Sequence, residues 1–263
     1  MPNLILGKSH LDNALYLAHA ANAAYYDNPR EQYPTLSQMG LDTLLLFASR
    51  PSLDTFGFVA ANANHLVLAF RGTDDPLDWM TNLRVRMVDW DQGQVHKGFA
   101  RSLDSVWSQV DQYVGQLYQS QRIWVCGHSL GGALATLASQ RLRGKQKPEA
   151  TYTFAQPRVG DATFQKRFKG VLKRFVNNRD IAPHLPPRTI SGYQHVGDLQ
   201  FLDADGQLQD EQDASSLVDL DLALQLVTVA VPGVSRRLVT RFLESRLEDH
   251  KLDNYIARIE ALL

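Results

Sequence analysis

Between residues 97 and 119 apolar side chains recur at every third or fourth position, and Phe99, Leu103, Val106, Val110, Val114 and Leu117 fall on one stripe of a helix. The run behind it, "RIWVC" at 122–126, has no such period and reads as a strand. This exchange of periods repeats along the chain. Ser9 followed by Asp12 marks a helix start, and the Ala- and Leu-rich run to Tyr26 continues it until "DNPR". Two short β runs, 55–61 and 65–70, are separated by an Asn-containing turn. "ALATLASQRLRG" is a helix stopped by Gly144, and it is followed by a strand at 151–155, a short helix near 161–169 and a strand at 171–177. Such alternation predicts βαβ units, with a mostly parallel sheet covered by helices.

From Leu199 the pattern changes. "LQFLDADGQLQ" predicts a hairpin around Asp205-Gly206. Its acidic residues invite a calcium reading, but the glycine falls too early for an EF-hand loop, so a turn and no metal site is expected. Residues 216–248 are apolar and broken by Pro232-Gly233, which predicts two helices in a cap-like insertion at about 205–245. Val218, Leu220, Leu222, Leu224 and Leu226 alternate with period two and leave a strand reading open there.

Composition narrows the class. At 263 residues, 44% hydrophobic and 21% charged, the chain is expected to fold as a single domain over 1–263. A net charge of −1 favours no polyanion, so nucleic acid is not an expected partner. One cysteine excludes an internal disulfide. No transmembrane segment is expected, because the most apolar stretch, 217–231, is interrupted by Asp219, Asp221, Gln225 and Thr228. The first 26 residues lack the pattern of a secretory signal, which predicts a cytoplasmic protein or one exported by a non-Sec route.

The candidate chemistry centres on "CGHSLGGA" at 126–133, where Gly127, Ser129 and Gly131 form a G-x-S-x-G pattern. One reading is a Gly-rich turn whose serine caps a helix. The other is a nucleophile held in a strained, exposed position between strand and helix, and the predicted elements on both sides favour it. Cys126, within the strand, reads as core packing. A nucleophilic serine needs a base and an orienting acid, which on this kind of sheet follow it in the order acid, histidine. Asp161 opens a helix and is more simply an N-cap, whereas Asp180 lies past a strand end in a loop whose prolines oppose a helix. His184 shares that loop, and His195 sits in a β-like run, "YQHVG", as a structural residue. His250 remains as the base, although spacing alone leaves a surface role equally open. The oxyanion of acyl transfer needs donors, for which the N–H of Leu130 and the N–H or hydroxyl of Thr73 are candidates. His96 and His128 precede the serine and read as structural.

These motifs resemble the class 3 lipases. The resemblance rests on "FRGTDDPLDWMTNL", "VHKGFARSL", "GHSLGGALATLAS", "YTFAQPRVGD", "NNRDIAPHLPP", "YQHVG" and "DHKLDNY", which span residues 70–255. It implies an α/β-hydrolase fold, a triad of Ser129, Asp180 and His250, and oxyanion donors at Thr73 and Leu130. It also implies a short lid after Thr73, in which Leu77, Trp79, Met80 and Leu83 meet the substrate. The expected activity is hydrolysis of acyl esters such as triacylglycerols at a lipid–water interface, with no cofactor and no metal. A short-chain or feruloyl-type esterase is the alternative within enzymes, and a non-catalytic lipid-binding protein the alternative outside them.

Overall fold

The computed structural model describes residues 6–26, 28–49, 55–83, 85–188, 192–209 and 246–263. Helices α1 (His10–Ala23) and α2 (Pro29–Gln38) precede a meander of β1 (Thr43–Ala48), β2 (Phe56–Ala61) and β3 (His65–Phe70). Then come α3 (Pro76–Asn82), the hairpin of β4 (Met87–Trp90) and β5 (Gly93–His96), and the long α4 (Lys97–Leu117). The second half alternates β6 (Arg122–His128), α5 (Leu130–Leu142), β7 (Ala150–Phe154), α6 (Ala162–Arg167) and β8 (Leu172–Asn177). It closes with β9 (Asp198–Leu202), β10 (Leu208–Gln209), α7 (Leu247–His250) and α8 (Leu252–Glu260).

Eight strands form one sheet in the order β1-β2-β3-β6-β7-β8-β9-β10. Pairs from β3 to β9 are parallel, while β1-β2-β3 and β9-β10 are antiparallel. Parallel strands must be covered on both faces, and their sequences show it. In β3, Val67 and Ala69 face one core with α1 and α8, while Leu66, Leu68 and Phe70 face a second core with α4 and α5. In β6, Trp124 and Cys126 take the first side and Ile123 and Val125 the second. Each buried Val, Leu, Ile or Phe among them contributes about 1.5–3 kcal/mol by burial, and truncating Leu68 to alanine should cost about 2–5 kcal/mol. This is the α/β-hydrolase architecture, with β3, β6 and β8 ending on the edge where the loops carry Thr73, Ser129 and Asp180.

Ser9 caps α1 by accepting the Asp12 N–H (3.1 Å), and Asp161 caps α6 by accepting the Phe164 N–H (2.7 Å), both as expected. The hairpin expected around Asp205-Gly206 joins β9 to β10, and in its turn Asp203 Oδ1 accepts the N–H groups of Asp205 and Gln207. Two expectations change. His195 lies outside any strand, next to a single bridge between Gly160 and Gln194. A 3-10 turn at Ala182–His184 follows Asp180, because Pro183 blocks a longer helix but not a single tight turn. The two helices expected within 216–248, and with them most of the cap-like insertion, lie outside the described residues up to 245. Among the described residues no helix is long and apolar enough to cross a membrane.

Candidate active site

Ser129 stands between β6 and α5 at φ 55° and ψ −124°, a backbone region that side chains other than glycine rarely occupy. The turn is tight enough that its neighbours cannot carry a Cβ. At Gly127 a Cβ would lie 2.3 Å from the Gly131 carbonyl oxygen, and at Gly131 it would lie 2.2 Å from the Phe70 carbonyl oxygen. The strain is local and the tertiary structure holds it, in part through the Ser129 N–H bonded to the Phe154 carbonyl on β7 (2.9 Å). The serine is not exposed, contrary to the sequence expectation. It is 1% accessible, with buried His250, 121 positions further along the chain, set against its hydroxyl.

His250 Nε2 is 3.0 Å from Ser129 Oγ, and His250 Nδ1 is 2.9 Å from Asp180 Oδ1. A carboxylate only accepts, so Nδ1 carries the proton and Nε2 offers its lone pair to the serine hydroxyl. All three side chains are buried. Asp180 also accepts the Ala182 N–H at Oδ1 (2.9 Å) and the Tyr255 hydroxyl at Oδ2 (2.5 Å), so its charge is met by three donors. Burial beside that carboxylate drives the Tyr255 hydroxyl well above its ordinary pKa and keeps it a donor.

Two further anchors fix the loop bearing His250. His128 Nε2 donates to the His250 carbonyl (2.8 Å), which leaves Nδ1 to accept from the Tyr25 hydroxyl (2.7 Å). Burial, and then the neighbouring His250, push His128 down to about 3, so it stays neutral in this relay. Asp249 ties the same loop to the segment after β8. Its carbonyl accepts from Asn177 Nδ2 (2.9 Å) and its carboxylate from Asn178 Nδ2 (3.0 Å). Sequence reasoning read His128 as structural and passed over Tyr25, Tyr255, Asn177 and Asp249. Tyr255 stands in the quoted "DHKLDNY", but its partner is 75 positions away and leaves no local signal.

Thr73 and Leu130 line one cavity of 240 Å³ with Trp79 and Phe99. The Thr73 hydroxyl turns to Asp75, whose N–H it accepts at 3.3 Å. Thr73 also borders a cavity of 420 Å³ lined by His250, Tyr25 and Leu247, and another of 500 Å³ beside α3. The four residues expected to form a lid all point inward from α3 and its end. Trp79 stacks on Phe99 with centroids 6.1 Å apart, and buried Met80 packs with Ile181, Ala182 and Leu185. Leu77 and Leu83 are half-buried against the same group. No cluster of three or more His, Cys, Asp or Glu able to hold a metal occurs among the described residues. His195 donates from Nε2 to the Pro183 carbonyl (2.8 Å), and desolvation with Arg174 and Arg158 nearby lowers its pKa well below the ordinary value. Cys126 is buried and its thiol pKa is raised by desolvation, so it is no thiolate nucleophile.

A family model described as lipase (class 3) matches residues 67–190. The chain is 34% identical over 167 residues to a lipase of Rhizomucor miehei, covering 57% of this chain but only 45% of that protein. With the secreted mono- and diacylglycerol lipase A of Penicillium cyclopium it shares 30% identity over 212 residues, which is 72% of this chain and 69% of the relative. A solved triacylglycerol lipase whose catalytic centre is formed by a serine-protease triad superposes with a TM-score of 0.69 at 25% identity, over 80% of this chain and 90% of the other. With the strand-turn-helix at Ser129 and the hydrogen-bonded partners described above, this similarity shows that the chain belongs to the class 3 lipase family.

Proposed function

We propose that the protein is a serine carboxylester hydrolase acting on acyl esters of glycerol. The observation that carries this reading is the continuous hydrogen-bonded path from Ser129 Oγ through His250 to Asp180, 3.0 and 2.9 Å long, in a buried site. In the proposed reaction Nε2 takes the hydroxyl proton as Oγ attacks the ester carbonyl. Asp180 stabilises the imidazolium, and the oxyanion is met by the N–H groups of Thr73 and Leu130. His250 then protonates the departing alcohol, leaving an acyl-enzyme. Water activated by the same histidine hydrolyses it. The chain supplies every group these steps use.

Similarity to a mono- and diacylglycerol lipase and to triacylglycerol lipases supports glycerol esters as the substrate class. The inward packing of Leu77, Trp79, Met80 and Leu83 supports α3 as a lid that exchanges protein contacts for lipid ones. The secreted Penicillium relative favours export over a cytoplasmic location. Ser129→Ala should abolish hydrolysis of both p-nitrophenyl butyrate and tributyrin while the thermal melt stays within a few degrees of wild type. Turnover by the purified, folded variant would refute the assignment.

A further inference from the structure

Three cations, Arg86, Lys97 and Arg101, line the 500 Å³ cavity beside α3. Lys97 and Arg101 are one turn apart on α4 and therefore share a face. The Lys97 N–H donates to the Arg86 carbonyl (2.9 Å), which joins the third cation to them. None of the three makes a salt bridge or a side-chain hydrogen bond among the described residues. Arg86 and Arg101 are exposed, and Val85 beside them is one of the few large apolar side chains left in water among the described residues, 47% accessible.

Position decides what these charges meet. The departing alcohol must reach His250 Nε2, and His250 lines the 420 Å³ cavity, so the alcohol and any headgroup on it belong there. The cations line a separate cavity that shares Thr73 with that one, so they are placed to meet groups other than the departing alcohol. Two carboxylates, Asp75 and Asp78 of the α3 N-terminus, line the same cavity and oppose them in the closed arrangement. Displacement of α3 carries those carboxylates away and leaves the cations with no counter-charge of their own.

We propose that Arg86, Lys97 and Arg101, with Val85 as an apolar plug, dock the protein onto an anionic lipid surface. The orientation of this surface rests on the ester-hydrolase reading above. Anionic headgroups take the place of Asp75 and Asp78, so docking and displacement of α3 favour one another. Each Lys or Arg at such a surface strengthens binding about fivefold, and salt screens the effect within about 8 Å at physiological ionic strength.

The test is co-sedimentation of Ser129→Ala protein, which leaves the lipid intact, with vesicles of phosphatidylcholine alone or of phosphatidylcholine and phosphatidylglycerol in equal parts. We expect binding at least about tenfold tighter to the mixed vesicles, weakened by salt. Replacing Arg86, Lys97 and Arg101 by Gln one at a time should each cost about fivefold, and the triple variant on the order of a hundredfold. Equal binding to the two vesicle types, or undiminished binding by the triple variant, overturns the proposal. So does a triple variant that binds mixed vesicles normally but shows a raised KM for monomeric short-chain phosphatidylglycerol, since the cations then read the substrate itself. Hydrolysis of soluble p-nitrophenyl butyrate by the protein with Ser129 intact tests the catalytic reading separately, because vesicle binding is measured without turnover.

Discussion

Gly131→Ala opposes two known effects at one position. Inside a helix the change from glycine to alanine favours folding by about 1 kcal/mol. At Gly131, however, the new methyl would lie 2.2 Å from the Phe70 carbonyl oxygen and 2.8 Å from the Arg71 carbonyl carbon and oxygen, where a real Cβ stays beyond 3.0 Å. The obstructing atoms are backbone, so they cannot rotate aside, and α5 must retreat from the end of β3 by roughly 0.8 Å. Overpacking of this kind costs about 3 kcal/mol, which leaves a net loss near 2 kcal/mol. The retreat separates Leu130 from the segment leading to Thr73, the two proposed oxyanion donors. A displacement of about 1 Å in a catalytic constellation lowers turnover on the order of a hundredfold. Gly115→Ala is the control, since nothing lies within 4 Å of its Cβ position in α4, and it should stabilise the protein by about 1 kcal/mol with kcat unchanged. Urea denaturation and kcat on p-nitrophenyl butyrate, measured for both variants, decide the matter. A Gly131→Ala protein with wild-type kcat and stability would falsify the close-packing argument.

Asp180→Asn should lower kcat by about three to four orders of magnitude through loss of the correct imidazole tautomer, whereas Asp161→Asn, which keeps an N-cap, should change it less than about twofold; the reverse ranking would move the acid to Asp161. Trp79→Ser should blunt the rise in activity as a medium-chain triglyceride passes its solubility limit, while sparing a soluble short ester, because even about 100 Å² of apolar area shifts the lid equilibrium by about 2.5 kcal/mol. A smooth hyperbolic wild-type curve with no break at that limit excludes lid gating. His128 binds a proton below about 3 in the folded protein but at its ordinary 6.5 when unfolded, so between these values the unfolded chain holds the extra proton and stability falls as pH falls. The loss approaches about 1.4 kcal/mol per pH unit, and His128→Gln should flatten the urea stability profile between about pH 6 and 4 by that amount. Parallel profiles would mean that His128 is charged in the folded state.

Much of this protein is written in short-range pattern. The helical stripe of α4, the Ser9 and Asp161 caps, the apolar runs of β3 and β6 and the Asp205-Gly206 turn depend on neighbours within a few residues, and each appears where its sequence predicts it. Other local elements escaped the sequence reading because their signals are weak. In α2 the first proline sits at the permissive start of the helix while Pro34 lies inside it, and β4 and β5 span four residues each.

The strand-turn-helix around Ser129 was likewise legible, since its glycines and its flanking periods are contiguous. What joins Ser129 to His250 and Asp180 was not, because Ser129 and His250 stand 121 positions apart along the chain, and His250 and Asp180 stand 70 apart. Local context, a helix N-cap at Asp161 against a proline-rich loop at Asp180, ranks Asp180 above Asp161, but residue spacing leaves His250 open between a base and a surface histidine. Sheet register and the packing of α8 against α1 bring the last loop over β6, and there the His128 and Tyr255 hydrogen bonds become possible. The burial of Ser129 is of the same kind. Local turn chemistry decides that the serine is strained, whereas its accessibility is set by segments that pack over it from elsewhere in the chain, and a one-dimensional pattern carries no record of that meeting.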